Sequence, residues 1–222
     1  MAEDDPTGRA LDVAEAEPGL PPAEKGTDPL LDHLSQVQST LERERAEAPG
    51  LVAELLSLPL GRWEEELRRE ARYHTWGVCE LLLVKSAEAA DAAASGRLAA
   101  LTLAGADRLD PARHASPIVE DLKARAWAAA GDARRRAGDL AEAERALRAA
   151  AACLAQGTGD LLVEARLLEF EAALRREQGR IGEAAALLKM AAARYRETGE
   201  VQLCERTLAA REMILRQERS IL

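Results

Sequence analysis

After position 28, apolar residues recur at spacings of three and four almost to the end of the chain, which is the period of amphipathic helices rather than strands. Asp28 followed by Pro29 predicts a helix start, because the carboxylate can accept from an orphan backbone N–H while proline sits where its missing N–H costs nothing. From there Leu30, Leu34, Val37 and Leu41 fall on one face, and Pro49-Gly50 predicts the stop. Leu51 to Leu60 reads as a short helix broken at Pro59, and a new amphipathic run begins near Trp63. Two stretches, about Trp76 to Ala93 and about Ser95 to Leu109, then join through a short turn, and Asp110-Pro111 closes the second. Residues 1–27 carry Pro6, Pro18, Pro21 and Pro22 among many carboxylates with no apolar stripe, the composition of a disordered acidic arm.

The clearest helical pair follows, in DLKARAWAAAGDARRRAGDLAEAERALRAAAACLA. Here Trp127, Gly131, Gly138, Ala143, Leu147 and Ala150 stand at the spacing of the tetratricopeptide motif, which this stretch resembles. The small residues Gly131 and Ala143 suit a close helix crossing, Gly138-Asp139 a tight turn, and Trp127 and Leu147 the space between neighbouring pairs. Arg134 stands where the motif has an aromatic residue. The spacing recurs at Leu168, Ala172, Gly179, Ala184, Leu188 and Ala191, with the two turn glycines 179 − 138 = 41 positions apart. A third copy fits Leu83, Ala87, Ala99, Leu103, Ala106 and Pro111. The step is longer than the family's period of about 34 residues, so helices or links are extended.

The resemblance implies an all-α fold: a right-handed stack of about three hairpins over residues 72–197, with an N-terminal helical segment over 28–71. Residues 198–222 are then a capping helix, with Leu203, Leu208, Ile214 and Leu215 to cover the open end. Removing 201–222 is expected to produce aggregation, and removing 1–27 to leave stability nearly intact.

Composition agrees with stacked helices. Hydrophobic residues are 47% of the chain but aromatics only 3%, so the core must form by close approach of helices over alanine and leucine. The net charge of −9 is concentrated at one end: residues 1–50 hold 12 acidic and 4 basic side chains, or −8, leaving about −1 for the rest. A nearly neutral body offers no general basic face for nucleic acid. The three cysteines read as buried small hydrophobes, and no stretch has the apolar length of a signal peptide or a membrane span, so a cytoplasmic protein is expected.

Candidate chemistry is sparse. His33, His74 and His114 lie on separate elements, and no phosphate-loop, dinucleotide, serine-hydrolase or zinc-protease motif occurs. The acids Glu64 to Glu66 point in different directions on a helix and read as a solvated face. No enzyme, cofactor or metal site is expected.

What remains is binding. The resemblance implies a groove lined by the first helix of each hairpin, and it places Lys85 and Glu88, then Arg125, Asp132, Arg135 and Arg136, then Arg166, Glu169 and Arg176 on or beside it. The expected role is an interaction module for a protein or peptide partner, an adaptor or regulatory subunit of bacterial type, with no membrane and with self-association open. The lysine and asparagine set by which chaperone-binding relatives hold a C-terminal carboxylate is absent. The rival reading is a transcriptional regulator in which residues 28–71 form a degenerate helix-turn-helix around Pro49-Gly50 and Pro59.

Overall fold

The computed structural model of the protein describes residues 29–221. The proposed acidic arm, residues 1–27, the expected helix-start residue Asp28 and the terminal Leu222 lie outside the described residues. Among the described residues every regular element is helical: α1 (Pro29–Ser57), α2 (Trp63–Arg69), α3 (Trp76–Glu88), α4 (Ala92–Ala106), α5 (Ser116–Arg136), α6 (Leu140–Leu154), α7 (Leu161–Glu177), α8 (Ile181–Glu197) and α9 (Val201–Ile221). From α3 to α9 each helix packs on the next in sequence, and α5 also touches α3 and α7.

Helix starts follow from side-chain acceptors at the preceding residue. Thr75 accepts from the Val78 N–H, Asp139 from Glu142, and Asp160 from Leu162 and Val163. The stops at Gly138 and Gly179 rest on a left-handed backbone, φ 82° and 74°, which places the next N–H on a carbonyl five residues back: Asp139 donates to Arg134, Arg180 to Arg175. The turn before α9 repeats this, with Glu200 donating to the Tyr195 carbonyl, a third use of the device.

The expected close crossing of α5 and α6 is present. A Cβ on Gly131 would come within 2.9 Å of Leu147 and 3.3 Å of the Ala143 carbonyl oxygen, and Ala143 is fully buried. Trp127 is half-buried, packed against the cluster of Ala128, Ala143, Leu147, Ala150, Leu167 and Leu174.

The structure corrects the reading of the N-terminal segment. α1 does not stop at Pro49-Gly50 but runs unbroken to Ser57. Proline in a helix interior costs about 3 kcal/mol, whereas fully burying each of Val52 and Leu55 contributes about 1.5–3 kcal/mol. Both are completely buried, together with Tyr73, Leu67, Val78 and Leu82, and Pro49 and Gly50 face solvent where the lost N–H matters least. The break on which the helix-turn-helix alternative rests is therefore missing at Pro49-Gly50. The expected face of Leu34, Val37 and Leu41 is only partly used: Leu34 is exposed, while Val37 and Leu41 are half-buried. The next pair is also shorter than expected, ending at Glu88 and Ala106 rather than Ala93 and Leu109.

At the other end, α9 packs Ile214 against Ala172, Ala184, Ala185 and Leu188, and Cys204 against Ala165, Ala192 and Tyr195. Ile214 is buried. Leu203, Leu208 and Leu215 are half-buried rather than enclosed, because the helix lies on one side only of the chain and has solvent on the other. No helix among the described residues is long and apolar enough to cross a membrane.

Candidate functional site

Alternate helices build a partly enclosed, largely apolar surface among the described residues. A cavity of about 410 Å³ is lined by Leu83, Val84 and Ala87 of α3, Ala124 and Ala128 of α5, and Val163, Leu167 and Phe170 of α7, with Glu88, Arg125 and Arg166 as its polar members. It exists because the facing positions on α5 are alanines, which hold the helices close but leave room above them. A second cavity of about 350 Å³ adjoins it through Arg166 and Phe170 and continues to α9, where Met213 and Ile214 contribute. Together they form one groove along α3, α5, α7 and α9.

Of the nine residues singled out in the sequence, Glu88, Arg125 and Arg166 line the first cavity, and Asp132, Arg166, Glu169 and Arg176 the second. Lys85, Arg135 and Arg136 line neither of these two. Arg135 spans from Asp132 on its own helix, at 2.8 Å, to Glu177 on α7. Arg136 reaches Asp132 at 3.1 Å and the Ala89 carbonyl oxygen at 3.3 Å. These two guanidiniums join α5 to its neighbours. Glu169 is similarly committed: it accepts from the Tyr195 hydroxyl at 3.0 Å, the Thr207 hydroxyl at 2.8 Å and Arg166 at 2.9 Å, tying α7 to α8 and α9. Arg166 also lies over the Phe170 ring, 5.1 Å from its centroid.

Phe170 and Val84 were not recognised as groove residues in the sequence. Phe170 is the single phenylalanine of the chain, and Val84 is exposed on an otherwise well-packed α3. Those two signals, a lone large ring and an unburied aliphatic side chain on a core helix, could have found them.

Other polar groups that the sequence left unassigned serve the fold. Buried Glu44 of α1 accepts from the Trp76 N–H at 2.7 Å, and His114 stands 3.5 Å from the same carboxyl with its ring stacked on Trp76. Buried Asp121 accepts from the Thr158 N–H and hydroxyl, pinning the α6–α7 link to α5. His74 bonds the Leu67 carbonyl oxygen at 2.8 Å, which is structural, and the His33 side chain lies outside the described ones. No three His, Cys, Asp or Glu side chains gather in a metal-binding arrangement among the described residues.

Burial pushes the Cys79 thiol up to about 12 and the Cys153 thiol to about 11, so neither is a nucleophile near neutrality. Cys204, on the inner side of α9, is buried against Ala165, Ala192 and Tyr195, whereas Cys153 is half-buried rather than buried as expected. A disulfide reagent at pH 8 is therefore expected to label the native protein slowly at all three positions and the denatured chain at once. A fast stoichiometric phase in the native protein would contradict this packing.

No family model matches the chain, no curated protein is significantly similar to it, and no solved structure matches it significantly.

Proposed function

We propose that the protein is a non-enzymatic interaction module, built as tetratricopeptide-type hairpins α3–α4, α5–α6 and α7–α8 capped by α9, whose groove holds a peptide segment of a partner protein. The carrying observation is the 410 Å³ apolar cavity, open along three alternate helices, beside an Arg125 guanidinium that has no ion-pair partner among the described residues. A largely apolar cleft with a few convergent charged groups is the usual form of a binding site. An elongated cleft across successive helices fits a chain segment better than a compact metabolite.

Photo-crosslinking in the native host tests this. A crosslinkable phenylalanine analogue at Phe170 is expected to capture one protein that the same analogue at exposed Ala151 on α6 does not, and Arg125→Glu should reduce that capture at least several-fold. Equal capture from both positions would sink the reading. The charge on α1 and α2 supports a protein partner over DNA: Arg68, Arg69 and Arg72 are matched by Glu64, Glu66 and Glu54 at 2.6–2.7 Å, so these cations are already spent on carboxylates.

A further inference from the structure

The groove carries an uneven charge. Arg125 and Arg176 line it without an ion-pair partner among the described residues, and Arg166 contacts Glu169 through one guanidinium nitrogen, leaving donors free. Within these two cavities the acids are mostly engaged: Asp132 is held by Arg135 and Arg136, and Glu169 by Arg166, Tyr195 and Thr207, so there Glu88 alone opposes the cations. Asp160, which caps α7, and Glu200 stand with Arg125 and Arg166 in an adjoining cavity. The complementary ligand is therefore a peptide that alternates aliphatic side chains with carboxylates and carries no cation.

This chain contains such a peptide. Residues 11–20 read LDVAEAEPGL, with Leu11, Val13 and Leu20 as aliphatic side chains, Asp12, Glu15 and Glu17 as carboxylates, and no lysine or arginine. Reach to the α3 edge of the groove is sufficient. Leu41 of α1 packs on the cluster that contains Leu83, and Leu83 lines the first cavity. From Leu41 back to Pro29 is 41 − 29 = 12 residues of helix, about 18 Å at 1.5 Å per residue. The 29 − 20 = 9 residues from Pro29 to Leu20 can span about 30 Å when extended, more than that helix can carry Pro29 away.

We infer that residues 11–20 are an intramolecular ligand of the groove, a self-contact that a partner must displace. The inference rests on the groove being a peptide site, as proposed above, and names an occupant for it. Carboxylates of the segment pair with Arg125 and Arg176, and its aliphatic side chains enter the space over Ala124, Ala128 and Phe170. Tethering makes this feasible for weak contacts, because a short linker holds a segment at an effective concentration on the order of millimolar. The acidic end of the chain thereby acts as a threshold on partner binding, since any competitor must be tighter than this local one.

The single phenylalanine makes the test direct. The full chain is labelled with 4-fluorophenylalanine, which reports from Phe170 at the junction of the two cavities, and is compared with the full chain carrying Asp12→Lys, Glu15→Lys and Glu17→Lys. The fluorine resonance is expected to differ between the two. Molar salt should move the first toward the second, and a synthetic peptide of residues 8–22 should move the second back saturably. The wild-type position should not change on dilution. Identical resonances with no response to the peptide overturn the proposal, and a concentration-dependent position overturns its intramolecular form in favour of the same segment from a second copy. Partner capture by photo-crosslinking separates the two readings. The charge-reversed chain should capture several-fold more than wild type; equal capture by both sinks the self-contact but leaves the groove reading standing. No capture by either, with the fluorine difference intact, sinks the partner and keeps the self-contact.

Discussion

Gly77→Ala is expected to be among the most damaging single-atom additions in this protein, lowering stability by about 3 kcal/mol or more in urea denaturation. A Cβ at position 77 would lie 2.2 Å from the Glu44 carbonyl oxygen, 2.5 Å from its carbon and 2.8 Å from the Arg45 nitrogen. All three are backbone atoms, so no side chain can rotate out of the way and α1 itself must lift from α3. That lift would stretch the bond from the Trp76 N–H to the Glu44 carboxylate and the Arg45–Glu80 pair, both 2.7 Å long, and uncover Ala48, Val52 and Leu55. Gly50→Ala is the matching control, since a Cβ there meets nothing within 4 Å and the residue lies inside α1. It should stabilise by about 0.5–1 kcal/mol, because alanine is the better helix former and restricts the unfolded chain. If the two glycines respond alike, the packing of α1 on α3 is not as described.

Deleting residues 201–222 has the second large expected effect. The loss removes Ile214 and Cys204 from two clusters and re-exposes Leu188, Ala192 and Tyr195. Counting the half-buried Leu203, Leu208 and Leu215 as well, the lost burial is on the order of 5 kcal/mol. Glu169 also loses the Thr207 hydroxyl, one of its three hydrogen-bond donors. The truncated protein should melt at least about 10 °C lower and sediment as associated species, because the newly bared face is an apolar patch with no polar cover. In the full chain the outward side of α9, with Gln202, Glu205, Arg206, Glu212 and Arg216 exposed, covers that face with polar side chains. A monomeric truncation with an unchanged melting temperature would refute the capping role.

Much of the fold was legible because it is local. Asp139 and Asp160 at helix starts, Gly138 and Gly179 at helix ends, and the small pair Gly131 and Ala143 at a crossing each announce themselves within a few residues. The groove was legible in part for the same reason: six of the nine charged residues placed on it by motif register line one of its two cavities. Its apolar floor was not. Phe170 and Val84 sit in helices whose periodicity would equally well bury them, and only the alanines of the facing helix leave space above them.

The sequence by itself determined that the chain is helical, where most turns fall, and that its acidic charge is gathered at one end, since periodicity, capping and composition act over one or two helical turns. Tertiary structure alone decided that α1 passes through Pro49, that Gly77 is a backbone contact, and that Arg135 and Arg136 hold helices together while Arg125 stands free in the groove. Each of those outcomes turns on partners far apart in the chain, 32 positions between Glu44 and Trp76 and 42 between Arg135 and Glu177. An arginine on a helix carries the same local signal whether a carboxylate from the next helix reaches it or not, so the distinction between a structural cation and a free one appears only when the helices are packed.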